Sequence, residues 1–423
     1  MTTRRSLSGR VRSRRALLAA YHRGRVWEPS QGSHLGCLAA MAFIAACAST
    51  SSTQPKQITA PTAAPAPAVN PFAGARFYVD PEFARMVGRA TAPTPEDAAR
   101  LKKLATYPTA VWLESLETAK LAGPTLDDAL KQEAAGGGPI VPVFVVYNLP
   151  NRDCAAEGSR GELFADKGGE ARYQTEFIDV IAAAFAAHPS QKIVVVLEPD
   201  SLANLVTNLE VPTCAVAEQI YRRGTAYAIS KLSMPNVFIY LDGAHAGWLG
   251  WPKNLPKAIT VFKEVLAAAG GADRIRGFAL NVSNYDPPRE PKSQKSGPDD
   301  PSQDEIGYAE DLAAGLAKAG ITGKGFIIDT SRNGRGGIRS TPGNWCNVKG
   351  AGLGERPAIA PAPNIDAYFW VKTPGESDGT TDRKAARFDE NCVSDDAMPG
   401  APEAGELFAP YLIELAKNAN PPL

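Results

Sequence analysis

The chain has 423 residues, 44% of them hydrophobic, so it is long enough to bury a sizeable core in one large domain or in two. Its 45 lysine and arginine residues balance 45 aspartate and glutamate residues, and no basic stripe follows position 75, which excludes a nucleic-acid-binding surface of the usual kind. A neutral substrate is therefore expected rather than a polyanion.

The first part of the chain is predicted to be an export leader. Residues 4–25 are rich in arginine, and residues 35–46 form an apolar stretch well short of the roughly 20 residues that a membrane-spanning helix needs. Small residues around Cys47 fit either a lipoprotein signal, in which Cys47 accepts a lipid, or an ordinary cleavage site, and the sequence does not decide between them. Residues 48–71 are mostly Ser, Thr, Pro, Ala and Gln, which predicts an extended tether. One folded domain is expected over 72–423, after a leader over 1–47 and the tether over 48–71.

Within the folded domain, short apolar runs alternate with longer amphipathic segments. Seven of the apolar runs are uninterrupted rather than alternating with polar residues, as is typical of strands buried on both faces of a parallel sheet. They cover 109–113, 140–147, 193–197, 237–241, 277–280, 325–328 and 367–371. Helices are predicted over 173–188, 215–232, 258–269, 305–319 and 405–418. This order predicts an α/β fold, either a single parallel β/α barrel or, as the alternative, a doubly wound open sheet.

Polar side chains follow every predicted strand. In parallel α/β folds the active site lies at the carboxyl ends of the strands, because these ends hold side chains rigidly while the loops vary. Glu198 and Asp200, which directly follow the run 193–197, are therefore predicted to lie at the rim of a site that the other strand ends also line. An isolated aspartate more often caps a helix, and Asp200 or Ser201 could cap 202–206, but several carboxylates at separate strand ends favour a site.

Other motifs narrow the chemistry. Tryptophans beside glycines, as in 247–251, offer flat platforms for sugar rings, although they could also belong to the core. His245 has no second His or Cys at ligand spacing, so no metal site is predicted. The glycine-rich segment 350–354 follows a poor strand for a dinucleotide site, and no Gly-x-Ser-x-Gly elbow supports a serine nucleophile, so no cofactor is expected.

The cysteines indicate disulfides. Of six cysteines, Cys37 and Cys47 lie in the leader, and the remaining four would be in an oxidising compartment after export. None of these pairs has the Cys-x-x-Cys spacing of a zinc site. Three connectivities are possible from the sequence alone, and sequential pairing is one of them.

Five segments resemble the signature blocks of glycoside hydrolase family 6, whose members are cellobiohydrolases and endoglucanases acting on β-1,4-glucan. They are 147–156 (YNLPNRDCAA), 198–204 (EPDSLAN), 241–251 (LDGAHAGWLGW), 345–347 (WCN) and 372–379 (KTPGESDG), in order along residues 72–423. The resemblance implies a single distorted parallel β/α barrel of about seven strands. It also implies hydrolysis with inversion at the anomeric carbon.

The family pattern implies roles for five catalytic residues. Asp200 matches the general acid, and Asp153 matches the neighbouring aspartate that raises the acid's pKa and helps to hold water. Tyr147 matches the tyrosine that favours a distorted sugar ring, and Ser159 the serine of a mobile loop that positions water. Asp378 matches the candidate base. Inverting enzymes leave room for a water between their carboxyl groups, so a base that acts through a water chain is compatible with the pattern.

The resemblance also implies binding residues and disulfides. Trp112, Trp248 and Trp345 match the platforms on which sugars stack. Partners of sugar hydroxyls are matched by Asp242, His245, Asn281, Lys372 and Glu376. The family pairs the cysteines in sequence, Cys154 with Cys214 and Cys346 with Cys392.

Two features bear on how the enzyme would act. Asn148 and Asn151 stand where aspartates are common, and Gly243-Ala244 reverses the usual order, which affects the tuning of the first loop. The long segment 379–404, with Cys392 inside it, is typical of members whose loops form a tunnel, and it predicts a roof over the site and release of cellobiose from non-reducing ends. The alternatives are an open-cleft endoglucanase and a non-catalytic glucan-binding surface protein.

The expected partner is β-1,4-glucan, as cellulose or cello-oligosaccharides, and no nucleic acid. We expect an exported monomer, extracellular or at the cell surface. Membrane contact is expected only through a lipid on Cys47.

Overall fold

The structure, a computed structural model, describes residues 69–289, 304–341 and 343–423. The predicted leader, Cys47 and nearly all of the predicted tether lie outside the described residues. No helix within the described ranges is long and apolar enough to cross a membrane.

One large sheet organises the described domain. The strands in chain order are β1 (Arg76–Phe77), β2 (Val111–Leu113), β3 (Ile140–Val141), β4 (Val143–Val146), β5 (Ile193–Leu197), β6 (Val237–Asp242), β7 (Gly277–Leu280), β8 (Gly325–Asp329), β9 (Ala358–Ala362) and β10 (Ile365–Phe369). Eight of them form a sheet in the order β2-β4-β5-β6-β7-β8-β10-β9, in which every neighbouring pair is parallel except β9 and β10. The short strands β1 and β3 pair separately.

The central strands are buried on both faces, which explains their continuous apolar runs. Val195 and Ile239 belong to the core between the sheet and the surrounding helices. Their neighbours Val194 and Tyr240 point the other way, into a second core on the inner face of the sheet. This alternation is the two-residue period of a strand applied to a curled sheet.

The sheet curls until its first and last parallel strands meet. The backbone N–H of Ala110, just before β2, donates to the carbonyl of Trp370, just after β10, over 3.2 Å. The indole Nε1 of Trp112 donates to the carbonyl of Val371 over 2.8 Å. The seven parallel strands therefore form the distorted barrel that the resemblance implied.

The structure differs from the predicted strands in three places, of which the first is the short strand β1, which lies before the first predicted run. The predicted run 140–147 is divided into β3 and β4 by Pro142, which has no backbone N–H for a ladder. An eighth strand, β9, is antiparallel and lies at the edge of the sheet. It was not predicted, since its middle residues are exposed and include a proline.

Helices surround the sheet. The α-helices are α1 (Pro81–Gly88), α2 (Pro95–Leu104), α3 (Ala122–Ala134), α4 (Gly169–Arg172), α5 (Asp179–Ala186), α6 (Ser201–Thr207), α7 (Pro212–Leu232), α8 (Ala246–Leu249), α9 (Leu255–Ala268), α10 (Glu305–Lys318) and α11 (Ala409–Lys417). Among the described residues, four short 3₁₀ segments lie at Thr118–Leu121, Ala165–Lys167, Ala272–Arg274 and Glu390–Val393, and a π-helix spans Tyr173–Ile178. The five predicted helices are all present, whereas α1, α2, α3, α4 and α8 are not among those predicted. The predicted helix 173–188 begins as the π-helix and continues as α5.

Candidate active site

A cavity of about 520 Å³ lies where the carboxyl ends of the parallel strands converge. All five predicted catalytic residues line it: Tyr147, Asp153, Ser159, Asp200 and Asp378. Six of the eight predicted binding residues line it too: Trp112, His245, Trp248, Trp345, Lys372 and Glu376. The fold thus brings together side chains that are far apart in the sequence, up to 266 positions for Trp112 and Asp378.

Asp200 is presented by a strained turn at the end of β5. Both Glu198 and Asp200 have positive φ, 51° and 65°, a conformation that few residues other than glycine adopt. Asp200 precedes α6 in the position of an N-cap, but its side chain makes no capping hydrogen bond. The carboxyl group is therefore directed to the cavity and not to the helix.

The surroundings of Asp200 favour its protonated form. Burial, the carboxylate of Asp242 and the carboxylate of Asp153 together raise the pKa of Asp200 well above its usual range. A carboxylic acid that keeps its proton near neutral pH can donate it to a leaving group.

Asp153 lies on the neighbouring loop and is fixed by Tyr147. The hydroxyl of Tyr147 donates to Asp153 Oδ1 over 2.7 Å. Burial raises the pKa of Asp153, while the Tyr147 hydroxyl, Arg152 and the Ser159 backbone oppose that rise. Asp153 has φ 56°, so this second carboxylate is also held on a left-handed turn.

Arg152 organises the same loop, although no role is predicted for it from the sequence. Its Nε donates to the carbonyl of Ser159 over 2.7 Å, and one terminal nitrogen donates to the carbonyls of Glu114 and Tyr147 at 2.6 Å each. The guanidinium carbon lies 4.4 Å from the centre of the Tyr147 ring. Its position directly beside a predicted catalytic aspartate was the sequence signal that could have found it, whereas its burial is visible only in the structure.

Asp378 is anchored on one oxygen. Its Oδ2 accepts hydrogen bonds from Arg332 at 2.6 Å, from the backbone N–H of Asn347 at 2.8 Å and from the Tyr285 hydroxyl at 3.3 Å. Its Oδ1 lies 3.9 Å from the ammonium of Lys372. Arg332 and Tyr285 follow β8 and β7, so Asp378 is fixed by neighbouring strand ends.

Aromatic rings line the cavity at separate places. Trp112 meets Tyr147 edge to face, with ring centres 5.7 Å apart. The indole of Trp248 donates to the hydroxyl of Thr207 over 2.8 Å. Trp345 packs so closely on Gly158 that a Cβ at that glycine would lie 2.9 Å from the indole.

Two charged groups stand beside Trp112. The ammonium of Lys372 lies 5.6 Å from the centre of the Trp112 ring and 3.7 Å from Glu376 Oε2. Burial raises the pKa of Glu376 to about 7, against the opposing effect of Lys372. At this end of the cavity Lys372 can therefore donate hydrogen bonds to an uncharged ligand, and Glu376 can accept them.

Two of the predicted binding residues lie behind the cavity wall. Asp242 Oδ2 accepts the backbone N–H groups of Asp200 and Ala244 at 3.0 and 3.1 Å. The amide of Asn281 donates to the carbonyls of Asp286 and Asp329, at 2.9 Å each. Both side chains are buried and bind protein groups, so direct contact with a sugar is not assigned to them. Asn284, three residues after Asn281, lines the cavity in its place.

His245 belongs to a polar cluster with Asp286 and Glu305 that is not predicted from the sequence. Its Nδ1 lies 2.8 Å from Asp286 Oδ2, and ligand atoms of His245, Asp286 and Glu305 lie within 4.8 Å of one another. Asp286 also accepts hydrogen bonds from Arg339 and the Gly247 backbone, and Glu305 Oε1 accepts the N–H of Ala246.

Three of the four carboxylate oxygens in this cluster thus already accept N–H donors. Arg339 also pairs with the carboxylate of Asp286 and so offsets its negative charge. These contacts favour a hydrogen-bonded support for His245 over a metal site. His245 and Asp286 are 41 positions apart, so no local spacing in the sequence predicts that they pair.

Two loops that each contribute residues to the cavity lining contact one another. We call residues 155–161 the first roof loop and residues 379–404 the second roof loop. The N–H of Glu157 donates to Asp389 Oδ2 over 2.9 Å, and Arg160 donates to the carbonyl of Ala386 over 3.3 Å. The structure contains both predicted disulfides, Cys154–Cys214 beside the first roof loop and Cys346–Cys392, which ties the second roof loop to the segment that carries Trp345.

The sequence profile of Glycosyl hydrolases family 6 matches residues 72–419, which is most of the chain. This chain belongs to glycoside hydrolase family 6. Exoglucanase 3 of Agaricus bisporus is 41% identical over 357 residues, 84% of this chain and 80% of that protein. A Fusarium oxysporum protein that bears the name of a type B endoglucanase is 41% identical over 356 residues, 83% of this chain and 77% of that protein.

A solved family 6 structure has the same fold. Cellobiohydrolase II from Humicola insolens, in complex with glucose and cellotetraose, superposes with a TM-score of 0.81 at 37% identity. The match covers 84% of this chain and all of that one. The chain is thus a glycoside hydrolase built on the family's distorted barrel.

Proposed function

We propose that this family 6 enzyme hydrolyses β-1,4-glucosidic bonds of cellulose and cello-oligosaccharides with inversion, and releases cellobiose from non-reducing ends. The observation that carries this proposal is the contact between two loops that line a cavity in which Asp200, an acid of raised pKa, lies near Asp153. We propose that these loops form a roof. The roof favours threading of a chain end over binding to the middle of a chain.

Asp200 is proposed as the general acid. Its proton goes to the glycosidic oxygen as the bond from that oxygen to the anomeric carbon breaks, so the leaving sugar departs as a neutral alcohol. Burial and the neighbouring carboxylates keep that proton in place until the leaving oxygen becomes basic. Asp200 regains a proton from solvent after the product leaves.

Water attacks the opposite face of the anomeric carbon. Asp153 and Ser159 line the same cavity and are proposed to hold this water, while Tyr147 keeps Asp153 in place and crowds the sugar. The new carbon–oxygen bond forms as the old one breaks, which gives inversion. The proton that the water loses must reach a base.

Asp378 is proposed as that base, reached through water. Its Oδ2 is occupied by Arg332, Asn347 and Tyr285, so Oδ1 is the oxygen that can take a proton. Inverting enzymes keep their carboxyl groups about 6.5 to 9.5 Å apart for this purpose, and a relayed proton would fit a longer path.

Sugar binding is proposed for the aromatic and polar lining. Trp112, Trp248 and Trp345 would stack on the apolar faces of glucose rings. Lys372, Glu376, His245 and Asn284 would bind hydroxyl groups. Stacking on rigid indoles costs little side-chain entropy, so it suits a substrate without charge.

Product analysis tests the mode of action. On cellohexaose we expect cellobiose as the main product, and on carboxymethyl cellulose we expect little loss of viscosity per reducing end formed. A rapid loss of viscosity with few new reducing ends would favour the endoglucanase, in line with the name of the Fusarium oxysporum relative. A lack of any product would favour a glucan-binding protein.

We also propose that the enzyme is exported and acts as a monomer. If Cys47 carries a lipid, Cys47→Ala should move the enzyme from the membrane fraction to the medium, whereas a freely secreted enzyme would be in the medium in both cases. Sedimentation analysis of the exported chain gives the oligomeric state.

A further inference from the structure

Strand β5 ends in two carboxylates two positions apart, and the structure gives them different places. Asp200 lines the cavity. Glu198 does not, and its side chain is only 1% exposed. The prediction that both lie at the rim of the site therefore holds for Asp200 alone. A buried carboxylate beside the proposed acid needs an explanation, because burying it without partners is costly.

The side chain of Glu198 accepts three hydrogen bonds. Oε1 accepts the hydroxyl of Tyr173 at 2.7 Å and the backbone N–H of Asn148 at 3.2 Å. Oε2 accepts the backbone N–H of Leu149 at 3.3 Å. Asn148 and Leu149 directly follow Tyr147 and begin the segment that ends in Asp153.

The backbone of Glu198 is fixed on both sides, by β4 and by the start of α6. Its N–H donates to the carbonyl of Val146 at the end of β4, over 2.8 Å. Its carbonyl accepts the hydroxyl of Ser201, the first residue of α6, over 2.8 Å. The residue therefore joins the turn that carries Asp200 to the segment that carries Tyr147 and Asp153.

Helix α7 supports this bridge from outside. Tyr173, the first residue of the π-helix, is fully buried. A Cβ at Gly224 of α7 would lie 2.5 Å from Leu149 Cδ2 and 3.4 Å from the Tyr173 ring. The glycine thus lets the helix approach both groups that surround Glu198.

We propose that Glu198 is a positioning residue that holds the general acid Asp200 and the neighbouring Asp153 in their mutual geometry. The inference rests on the proposed role of Asp200. Catalysis is sensitive to such placement, since a displacement of about 1 Å can lower a rate by roughly 10². Glu198 itself takes no proton from the substrate and gives none to it.

The test is Glu198→Gln. The amide keeps the size of the side chain and an oxygen for Tyr173 and Asn148, but its nitrogen faces the N–H of Leu149 and cannot accept a bond. On cellotetraose we expect kcat to fall about tenfold or more with KM within about twofold. On an aryl cellobioside whose leaving group needs no proton, the loss should be much smaller, because a misplaced acid matters less there.

A matched control lies at the other end of the barrel. Asp366 is also buried, accepts a tyrosine hydroxyl, that of Tyr240, at 2.6 Å, and pairs with Arg276. Asp366→Asn should lower the melting temperature but leave the ratio of kcat on the two substrates unchanged. Should Glu198→Gln fail to fold, Tyr173→Phe removes one of the three donors and should change the ratio in the same direction.

If a folded variant keeps the wild-type ratio of kcat on the two substrates, the inference is overturned. An equal loss of kcat on both substrates is one way in which this would happen. The result for Asp200→Asn distinguishes a failure of the proposed function from a failure of the positioning role alone. If that variant turns over cellotetraose normally, the proposed function fails. If Asp200→Asn is impaired but the Glu198 and Tyr173 variants keep the wild-type ratio, only the positioning role fails.

Discussion

The hydroxyl of Tyr147 donates a 2.7 Å hydrogen bond to Asp153 Oδ1. Burial pushes the pKa of Asp153 upward, and this bond is the largest of the contacts that oppose it. Arg152 stacks on the same ring at 4.4 Å, so the tyrosine is held by a neighbour as well as by its own strand. Tyr147 thus controls how readily Asp153 carries a negative charge beside the proposed acid.

Replacement of Tyr147 by phenylalanine tests this control. A hydrogen bond to a charged group contributes about 1.5 to 3 kcal/mol, so kcat on cellotetraose should fall roughly tenfold or more. Without the bond the pKa of Asp153 rises further, so the acidic limb of the pH–kcat/KM profile should move to higher pH. Initial rates across the pH range measure both effects. A profile identical to that of the wild type would show that the bond does not govern Asp153.

Asp242 offers a separate test of the acid. Its charge is one cause of the raised pKa of Asp200, and its own pKa is raised by burial to about 7. Asp242→Asn keeps an oxygen for the N–H groups of Asp200 and Ala244 but removes the charge. The pKa of Asp200 should then fall, and the alkaline limb of activity should move to lower pH.

The direction follows from the protonation state that the reaction needs. Asp200 must carry a proton to act, so a lower pKa means that it loses its proton, and the enzyme its activity, at a lower pH. The effect belongs to the region near and above pH 7, where Asp242 is charged in the wild type. A shift of the alkaline limb to higher pH would contradict this account.

The contact between the roof loops can be weakened at Asp389. One carboxylate oxygen accepts the N–H of Glu157 in the first roof loop, and the other caps the 3₁₀ segment through Asn391. Asp389→Ala should loosen the roof and raise internal cutting, so carboxymethyl cellulose should lose more viscosity per reducing end formed than with the wild type. Cellobiose release from crystalline cellulose should fall.

The control for the roof is Glu390→Ala. Glu390 pairs with Arg383 on the surface of the same loop, where an exposed ion pair contributes little. Its removal should leave the product pattern unchanged. If both variants behave like the wild type, the bond between the loops does not determine where the chain is cut.

Much of the architecture follows from local patterns. Continuous apolar runs such as 193–197 predict strands buried on both faces, and each of the seven predicted runs overlaps a strand. The carboxyl end of β5 predicts a site, because the strand fixes where Asp200 can lie. Edge strand β9 escapes prediction, since its sequence Ala-Ile-Ala-Pro-Ala contains a proline and only one β-branched residue.

Side-chain directions within the site do not follow from the sequence. Glu198, Asp200 and Asp242 all occupy strand ends, yet only Asp200 lines the cavity. The carboxylates of Glu198 and Asp242 bind backbone N–H groups instead. These contacts depend on turns with positive φ, which no residue pattern in the sequence predicts here. The pairing of His245 with Asp286 depends in the same way on the approach of two loops distant in sequence.

The most direct measurement is the single-turnover rate of Asp200→Asn on cellotetraose, with binding measured on the same protein. A general acid typically contributes 10² to 10⁴ in rate, so we expect a loss of roughly that size with the dissociation constant little changed. An aryl cellobioside that needs no proton for its leaving group should lose much less. Near-normal turnover of cellotetraose by Asp200→Asn would contradict the assignment of Asp200 as the acid and with it the proposed mechanism.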